Sequence, residues 1–226
     1  MWVQISSLSP LINDNFDKEN QYKILDKYNI NHIPTVFLEN NKDLIKTIKN
    51  EWNKKFKNYS KIVIKPSISE SGKNTFIISK NASQKNSIAI NNLDYKNFDG
   101  NCTLMLQPFI EEIKYGEYSL VYFNNKLSHA VIRNPGIFNN NYNIEHININ
   151  DIDKNLLNIG NRISDLPEYS NYLYMRIDFV KHKQKYLVLE VELIDPILFL
   201  NNIKNKKDRY NAYKKLVKDT KNKLEN

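Results

Sequence analysis

From about residue 117 onward the chain alternates strand-length apolar runs with very short polar breaks, and this pattern most narrows what it can fold into. The runs are YSLVYFN (118–124), KLSHAVIR (126–133), YLYMRIDFV (172–180) and YLVLEVELI (186–194). Within each pair the break is short, one residue (125) or five (181–185), and runs joined so closely read as hairpin-connected antiparallel strands. Residues 151–166 read as a helix between the two pairs. The first half reads differently: a helix over 17–28, a strand TVFLEN, and a helix over 42–57 built on Leu44, Ile45, Ile48, Trp52 and Phe56. Strands KIVIKP (61–66), TFIIS (75–79) and TLMLQPFI (103–110) follow. Helices first and hairpins afterwards argue for an α+β body of two lobes, 1–110 and 111–226, rather than a doubly wound sheet. The Asn-rich stretch 134–150 reads as a long loop, and no internal repeat or Gly/Ser-rich linker is present.

The run KYLVLEVELIDP places Glu190 and Glu192 two residues apart in an apolar strand, hence on one face. Adjacent carboxylates repel at neutral pH unless positive charge sits between them, and a hard cation such as Mg²⁺ suits oxygen ligands. Asp178, in LYMRIDFV, supplies a third carboxylate, with Arg176 on its face. A half-solvated strand with an acidic face explains the same pattern equally well.

Composition excludes several classes. A content of 41% hydrophobic and 12% aromatic residues is that of a globular protein. One cysteine, Cys102, rules out an intramolecular disulfide framework and a Cys-rich zinc site. There is no 18-residue apolar run to span a membrane, and the opening MWVQISSLSPLIND lacks the form of a signal peptide. These features fit a reducing cytoplasm and no membrane partner. The net charge of +8 points weakly to nucleic acid, because only Arg133, Arg162, Arg176 and Arg209 are arginines among 33 basic residues. Residues 204–226 hold nine Lys/Arg against three Asp/Glu, with Tyr213, Leu216, Val217, Thr220 and Leu224 at helical spacing. That stretch reads as a packed C-terminal helix with a solvated basic face, a nucleic-acid or membrane-surface role being the alternative.

Two further stretches carry chemistry. Lys65 ends an apolar strand, and the loop SISESGKN follows before the next strand. Loop N–H groups around Ser69 to Asn74 can cradle phosphate oxygens, and a lysine adds a point charge. An ordinary hairpin with an exposed lysine is the competing reading, and the P-loop pattern is absent. Gln107, Pro108, Phe109 and Ile110 end the next strand and join the two halves; such a linker offers backbone groups to an adenine ring. Glu117, seven residues on, is a candidate for ribose hydroxyls, or simply a surface Glu.

Lysine loop, QPF hinge, GE-x-S-L, SHAV-x-R, R-x-D and E-x-E-L-I-x-P run in one order, and together they resemble the ATP-grasp superfamily. The resemblance is strongest to glutathione-synthetase-like carboxylate–amine ligases, in the branch of the cycloserine-forming ligase, and it covers about residues 10–200. It implies two lobes with nucleotide between them and a mostly antiparallel C-terminal sheet. It implies that Lys18 and Lys65 contact ATP phosphates, and that Ser69, Ser71, Gly72 and Thr75 belong to the loop over the β- and γ-phosphates. Gln107, Pro108, Phe109 and Ile110 match the adenine hinge, and Glu117 the ribose carboxylate. Asp178, Glu190 and Glu192 match ligands of two Mg²⁺ ions, with Mn²⁺ an alternative, while Arg133 and Arg176 match basic positions facing the transferring phosphate or the acyl group. The implied reaction uses ATP to convert a small-molecule or peptide carboxylate to an acyl phosphate, which an amine attacks.

The chain departs from that pattern in substrate handling. Similar ligases carry an α/β domain ahead of the lysine helix, and this sequence starts near where that domain ends; a homodimer or a partner chain would supply the surface. The loop after SHAV-x-R has Asn139 where an Arg is usual and EHININ in place of a His followed by a Gly pair, and Ile197 replaces a Ser or Thr. A nucleotide-binding interaction subunit without turnover is therefore the alternative function. His32, His146 and His182 are scattered, and His129 reads as a hydrogen-bonded core residue.

Overall fold

A computed structural model describes residues 17–69, 73–80, 88–98, 100, 102–135 and 142–224. Its chain divides into two compact units, one of Asp17–Tyr22 with Ile33–Glu111, the other of Lys23–His32 with the chain from Glu112 onward. The first helix, α1 (Lys18–Lys27), is thus shared between them.

The first unit holds β1 (Val36–Glu39), α2 (Leu44–Lys55), β2 (Lys61–Pro66), β3 (Phe76–Ser79), β4 (Ile88–Ala89) and β5 (Thr103–Pro108). Its sheet runs β1-β5-β2-β3-β4, antiparallel except for the short β3–β4 pair. Strand β2 alternates strictly: Ile62 and Ile64 are fully buried, while Val63 and Lys65 lie on the other face and are only half-buried. Helix α2 presents Leu44, Ile48 and Trp52, with Phe56 at its C-cap, to Ile62, Ile64, Ile78, Leu104 and Leu106. Each such side chain contributes on the order of 1.5–3 kcal/mol of burial. The indole N–H of Trp52 donates to the Tyr59 carbonyl at 3.0 Å, which fixes the exit of the helix.

The second unit holds β6 (Glu117–Phe123), β7 (Lys126–Pro135), β8 (Tyr142–Ile147), α3 (Lys154–Ser164), β9 (Tyr174–His182), β10 (Lys185–Glu192) and α4 (Lys206–Leu224). The sheet runs β10-β9-β6-β7-β8 and is antiparallel throughout. One face carries Leu120, Tyr122, Met175, Ile177, Phe179, Val188 and Val191, packed with Leu156 and Ile163 of α3 and with Leu25 and Ile30. Helix α3 comes so close that a Cβ on Gly160 would lie 2.5 Å from the Tyr122 hydroxyl and 2.8 Å from Leu120 Cδ2. Only glycine permits this approach, which also lets Tyr122 donate to Asn161 at 3.0 Å.

Strand β10 contains a bulge between Val188 and Glu190. Before it, Tyr186 and Val188 face the α3 core; after it, Val191 and Leu193 do. The extra residue turns Glu190 and Glu192 to the opposite face, where they stand across from Asp178 and Arg176. The outer edge of β10 is partly covered by the chain after α1: the Val188 N–H donates to the Asn31 carbonyl at 3.0 Å.

Two expectations need correction. The stretch 134–150 is not one long loop, because Tyr142–Ile147 pairs along β7 as an edge strand. The C-terminal helix is present, with Ala212 buried and Leu216 packed against Val121 and Phe123, but Tyr213 and Val217 are exposed rather than packed. Lys215 anchors this helix by donating to the Phe123 carbonyl at 2.6 Å. Among the described residues no helix is long and apolar enough to cross a membrane.

Candidate functional site

The face of the second sheet turned away from α3 carries an ionic cluster, and its register explains why. Residues directly opposite share a face, so Glu117 meets Arg133, Ser119 meets Asp178, Glu190 meets Asp178, and Glu192 meets Arg176. Four strands therefore deliver four carboxylates and two guanidiniums to one patch. Asp178 is 2% exposed. Its carboxylate accepts from Arg176 Nε at 3.0 Å and Nη2 at 2.9 Å, from Arg133 Nη2 at 2.7 Å, and from the Ser119 hydroxyl at 2.6 Å. Arg176 Nη2 also donates to Glu192 Oε1, and its Nη1 to the Ile197 carbonyl at 3.2 Å. Arg133 Nη2 reaches Glu117 Oε2 at 2.8 Å, and its Nε donates to Ser119 at 3.1 Å.

Charge balance sets the protonation of this patch. Burial works against the Asp178 charge, but Arg176 and Arg133 hold its carboxyl below the usual range. Burial likewise opposes the Arg176 charge, yet Asp178, Glu192 and Glu190 raise its pKa above the ordinary value. Glu192 goes the other way: burial, with Glu190 and Asp178 adding to it against the pull of Arg176, pushes it up to about 7. Two guanidiniums thus leave the four carboxylates under-neutralised.

The cluster is held down by the segment after β10. Phe199 sits at φ 53°, a left-handed conformation that costs a non-glycine residue on the order of 1–3 kcal/mol. Its buried ring centroid lies 5.4 Å from the Arg176 guanidinium carbon and 6.0 Å from that of Arg133. His129, 1% exposed, fixes the preceding residue: its Nε2 donates to the Leu198 carbonyl at 2.6 Å, so Nδ1 accepts from Ser128 at 3.0 Å. Burial lowers the His129 pKa to about 4. A depressed histidine stabilises the fold above its unfolded value near 6.5, and that stability is lost as pH falls toward 4. Urea titrations at pH 7 and pH 4.5 should therefore show an acid-labile increment, at most roughly 3 kcal/mol, that His129→Gln removes.

Gly116, at φ 118°, opens β6, and a Cβ there would meet Ile132 Cγ1 at 2.5 Å. This explains why Glu117 follows a glycine: the turn onto the sheet admits no other residue without moving Ile132.

In the first unit, Lys18 is 4% exposed at the start of α1. Its N–H donates to Ser67 O at 3.1 Å and its Nζ to Ser69 O at 2.9 Å, so it organises the start of the loop after β2. Lys65 shares its sheet face with Val63, which pairs with Gln107. The Gln107 amide donates to Tyr22 at 3.1 Å and Thr35 at 2.8 Å. Phe109 and Ile110 are buried, and Lys61 lies over the Phe109 ring at 5.3 Å. Thr75 is exposed just before β3. Ser71, Gly72 and Asn139 lie outside the described residues.

The structure thus gathers Glu117, Arg133, Arg176, Asp178, Glu190 and Glu192 on one sheet face; spacing alone paired Glu190 with Glu192 and Asp178 with Arg176, and the family resemblance joined the two pairs. Sequence reasoning gave no role to Ser119 or Phe199. A strand serine and an apolar residue after a proline give no signal of an ionic partner.

Glu190 and Glu192 fit a divalent cation: paired oxygens, under-neutralised, on one face. Asp178 fits only in part, because its lone pairs are taken by two arginines and a serine, and among the described residues no three such ligands are gathered in metal-holding geometry.

Two units of this kind, a mostly antiparallel sheet with helices in each, define the ATP-grasp fold. D-cycloserine synthetase DcsG superposes with a TM-score of 0.72 at 17% identity, over 93% of this chain and 72% of that one. A D-alanine–D-alanine ligase from Bacillus anthracis complexed with ATP gives 0.62 at 14%, over 95% and 70%. The ATP-grasp ligase PsnB, complexed with precursor peptide PsnA2 and AMPPNP, gives 0.61 at 13%, over 94% of this chain but 62% of that one. Curated proteins gave no match by sequence. A family model described as prokaryotic glutathione synthetase, ATP-grasp domain, matches residues 26–207, and the chain belongs to that family of ATP-using ligases.

Proposed function

We propose that the chain is an ATP-dependent ligase that activates a carboxylate as an acyl phosphate for attack by an amine. The observation that carries this is the ionic patch, in which register alone sets Arg133 and Arg176 beside Asp178, Glu190 and Glu192. In this reading Lys18, Lys65 and the loop from Ser69 to Thr75 hold the ATP phosphates, residues 107–110 the adenine, and Glu117 the ribose. Glu190 and Glu192, with Asp178 in part, would hold one or two Mg²⁺ ions, or Mn²⁺. A bound divalent cation supplies charge neutralisation at the phosphate oxygens. The arginines orient and neutralise the transferring phosphoryl group, and no covalent nucleophile of the protein is required. Exposed Ile197, whose carbonyl is tied to Arg176, puts an apolar side chain next to that patch. The carboxylate is a small molecule or a peptide; the solved neighbours include a D-cycloserine synthetase and an ATP-grasp ligase complexed with a precursor peptide.

One observation favours a second reading, a nucleotide-binding subunit without turnover: Asp178 is saturated by protein groups alone. Calorimetry with AMPPNP, with and without Mg²⁺, separates the matter in stages. Metal-dependent binding is expected, weakened at least about tenfold by Lys65→Ala, the scale of one charge-assisted phosphate contact. Equal binding by wild type and variant would remove Lys65 from the site. Tight binding without ADP formation from ATP under any carboxylate and amine pool would favour the second reading.

A further inference from the structure

We propose that Arg133 is a placeholder cation, which occupies the acidic patch in the nucleotide-free protein and must leave it before a divalent ion can enter. The inference rests on the metal reading above and adds to it an order of events and a residue that imposes it.

Arg133 bridges Glu117, at 2.8 Å, and Asp178, at 2.7 Å, and is held by Ser119 at 3.1 Å. These are the carboxylates otherwise assigned to ribose and metal. Arg133 therefore occupies Glu117 Oε2 and Asp178 Oδ2 from within the protein, and a cation that is to take those two oxygens must displace it. Arg176 cannot play the same part. Its side chain is 5% exposed against 19% for Arg133, its Nη1 is held by the Ile197 carbonyl, and its Nη2 is shared between Asp178 and Glu192. Arg176 is thus the fixed counter-ion of Asp178, and Arg133 the exchangeable one.

The swap exchanges one cation for another. Four carboxylates against two guanidiniums leave the patch acidic, and withdrawal of Arg133 makes it more so, which favours cation entry at the moment that an Asp178 oxygen is uncovered. The released guanidinium stays on the same sheet face, where a phosphoryl group is its natural next partner.

The prediction has opposite signs for binding and for turnover. Removing Arg133 should tighten metal binding and weaken phosphoryl transfer, whereas a structural or ordinary ligand-contact role would weaken both. The test titrates Mn²⁺ into protein without nucleotide and follows the free-ion electron paramagnetic resonance signal, for wild type, Arg133→Met, and Arg133→Met with Glu190→Gln. Arg133→Met is expected to bind Mn²⁺ about tenfold more tightly than wild type, the scale for removing one unit charge beside an ion, and Glu190→Gln should abolish the gain. Equal or weaker affinity in Arg133→Met overturns the proposal, and so does a gain that survives Glu190→Gln. Should the methionine variant not fold, Arg133→Lys, which keeps the charge but loses the fork that spans two carboxylates, must still bind Mn²⁺ more tightly than wild type. ADP formation by wild type is measured separately: its absence beside a Glu190-dependent gain in Mn²⁺ affinity would sink the ligase reading and leave the placeholder standing.

Discussion

Asp178→Asn should destabilise the protein by about 3–5 kcal/mol in urea at pH 7, the scale for removing one partner of a buried ion pair. The substitution keeps shape and one acceptor, so the loss is electrostatic. Asp178 is fully buried and its charge is stabilised by two guanidiniums; an amide in its place would leave Arg176, 4% exposed, paired directly with the half-buried Glu192 and balanced at longer range by Glu190. The amide nitrogen would also face a guanidinium, donor against donor, in a region of low dielectric. A loss below about 1 kcal/mol would mean that solvent reaches the pair more freely than its burial indicates. Loss of stability also sets a trap for functional work, because an inactive Asp178 variant says nothing about metal binding until its fold has been checked.

Glu190→Gln should do the reverse: reduce Mg²⁺-dependent ADP formation by on the order of 10²–10³-fold, as for loss of one preorganised charge-stabilising group, while leaving the fold intact. Glu190 is only half-buried, and its negative charge is one of the causes that raise Glu192 to about 7. Neutralising it removes repulsion, so unfolding in urea at pH 7 should occur at the same or a slightly higher denaturant concentration. Glu192 should then titrate nearer its ordinary value, which a carboxylate-resolved NMR titration would follow. Activity that survives the substitution would show that Glu190 holds no catalytic cation. Loss of activity with loss of fold would show that the strand, not its charge, depends on this residue.

Strand positions were legible because alternation and turn residues are local properties. Strand β8 was not, since YNIEHI is half polar with an Asn, and it becomes a strand only by pairing with β7. Spacing put Glu190 with Glu192, and Asp178 with Arg176, on one face of their own strands; that the two pairs belong together came from the order of motifs, not from spacing. The bridges of Arg133 could not: Glu117, Ser119 and Asp178 are its partners through cross-strand register over as many as 45 residues of sequence. Phe199 reads as a core residue and is buried as one, but nothing in the sequence shows a left-handed backbone that sets its ring on two guanidiniums.

The bulge in β10 makes the length of that strand a matter of parity. Tyr186 and Val188 have even numbers and face the core; Val191 and Leu193 have odd numbers and also face the core. The spacing between Val188 and Val191 is odd, so regular alternation cannot serve both at this length. Pairing every residue regularly, without the bulge, would carry Glu190 and Glu192 round to the side of Ile177 and Phe179, into an apolar interior without counter-ions. Losing one residue at the bulge would make the spacing even, so that plain alternation keeps the glutamates on their face, whereas a change of two leaves the bulge as necessary as before. In this part of the chain, whether an insertion or deletion is odd or even therefore decides whether the strand needs its bulge, before any question of which residues it brings.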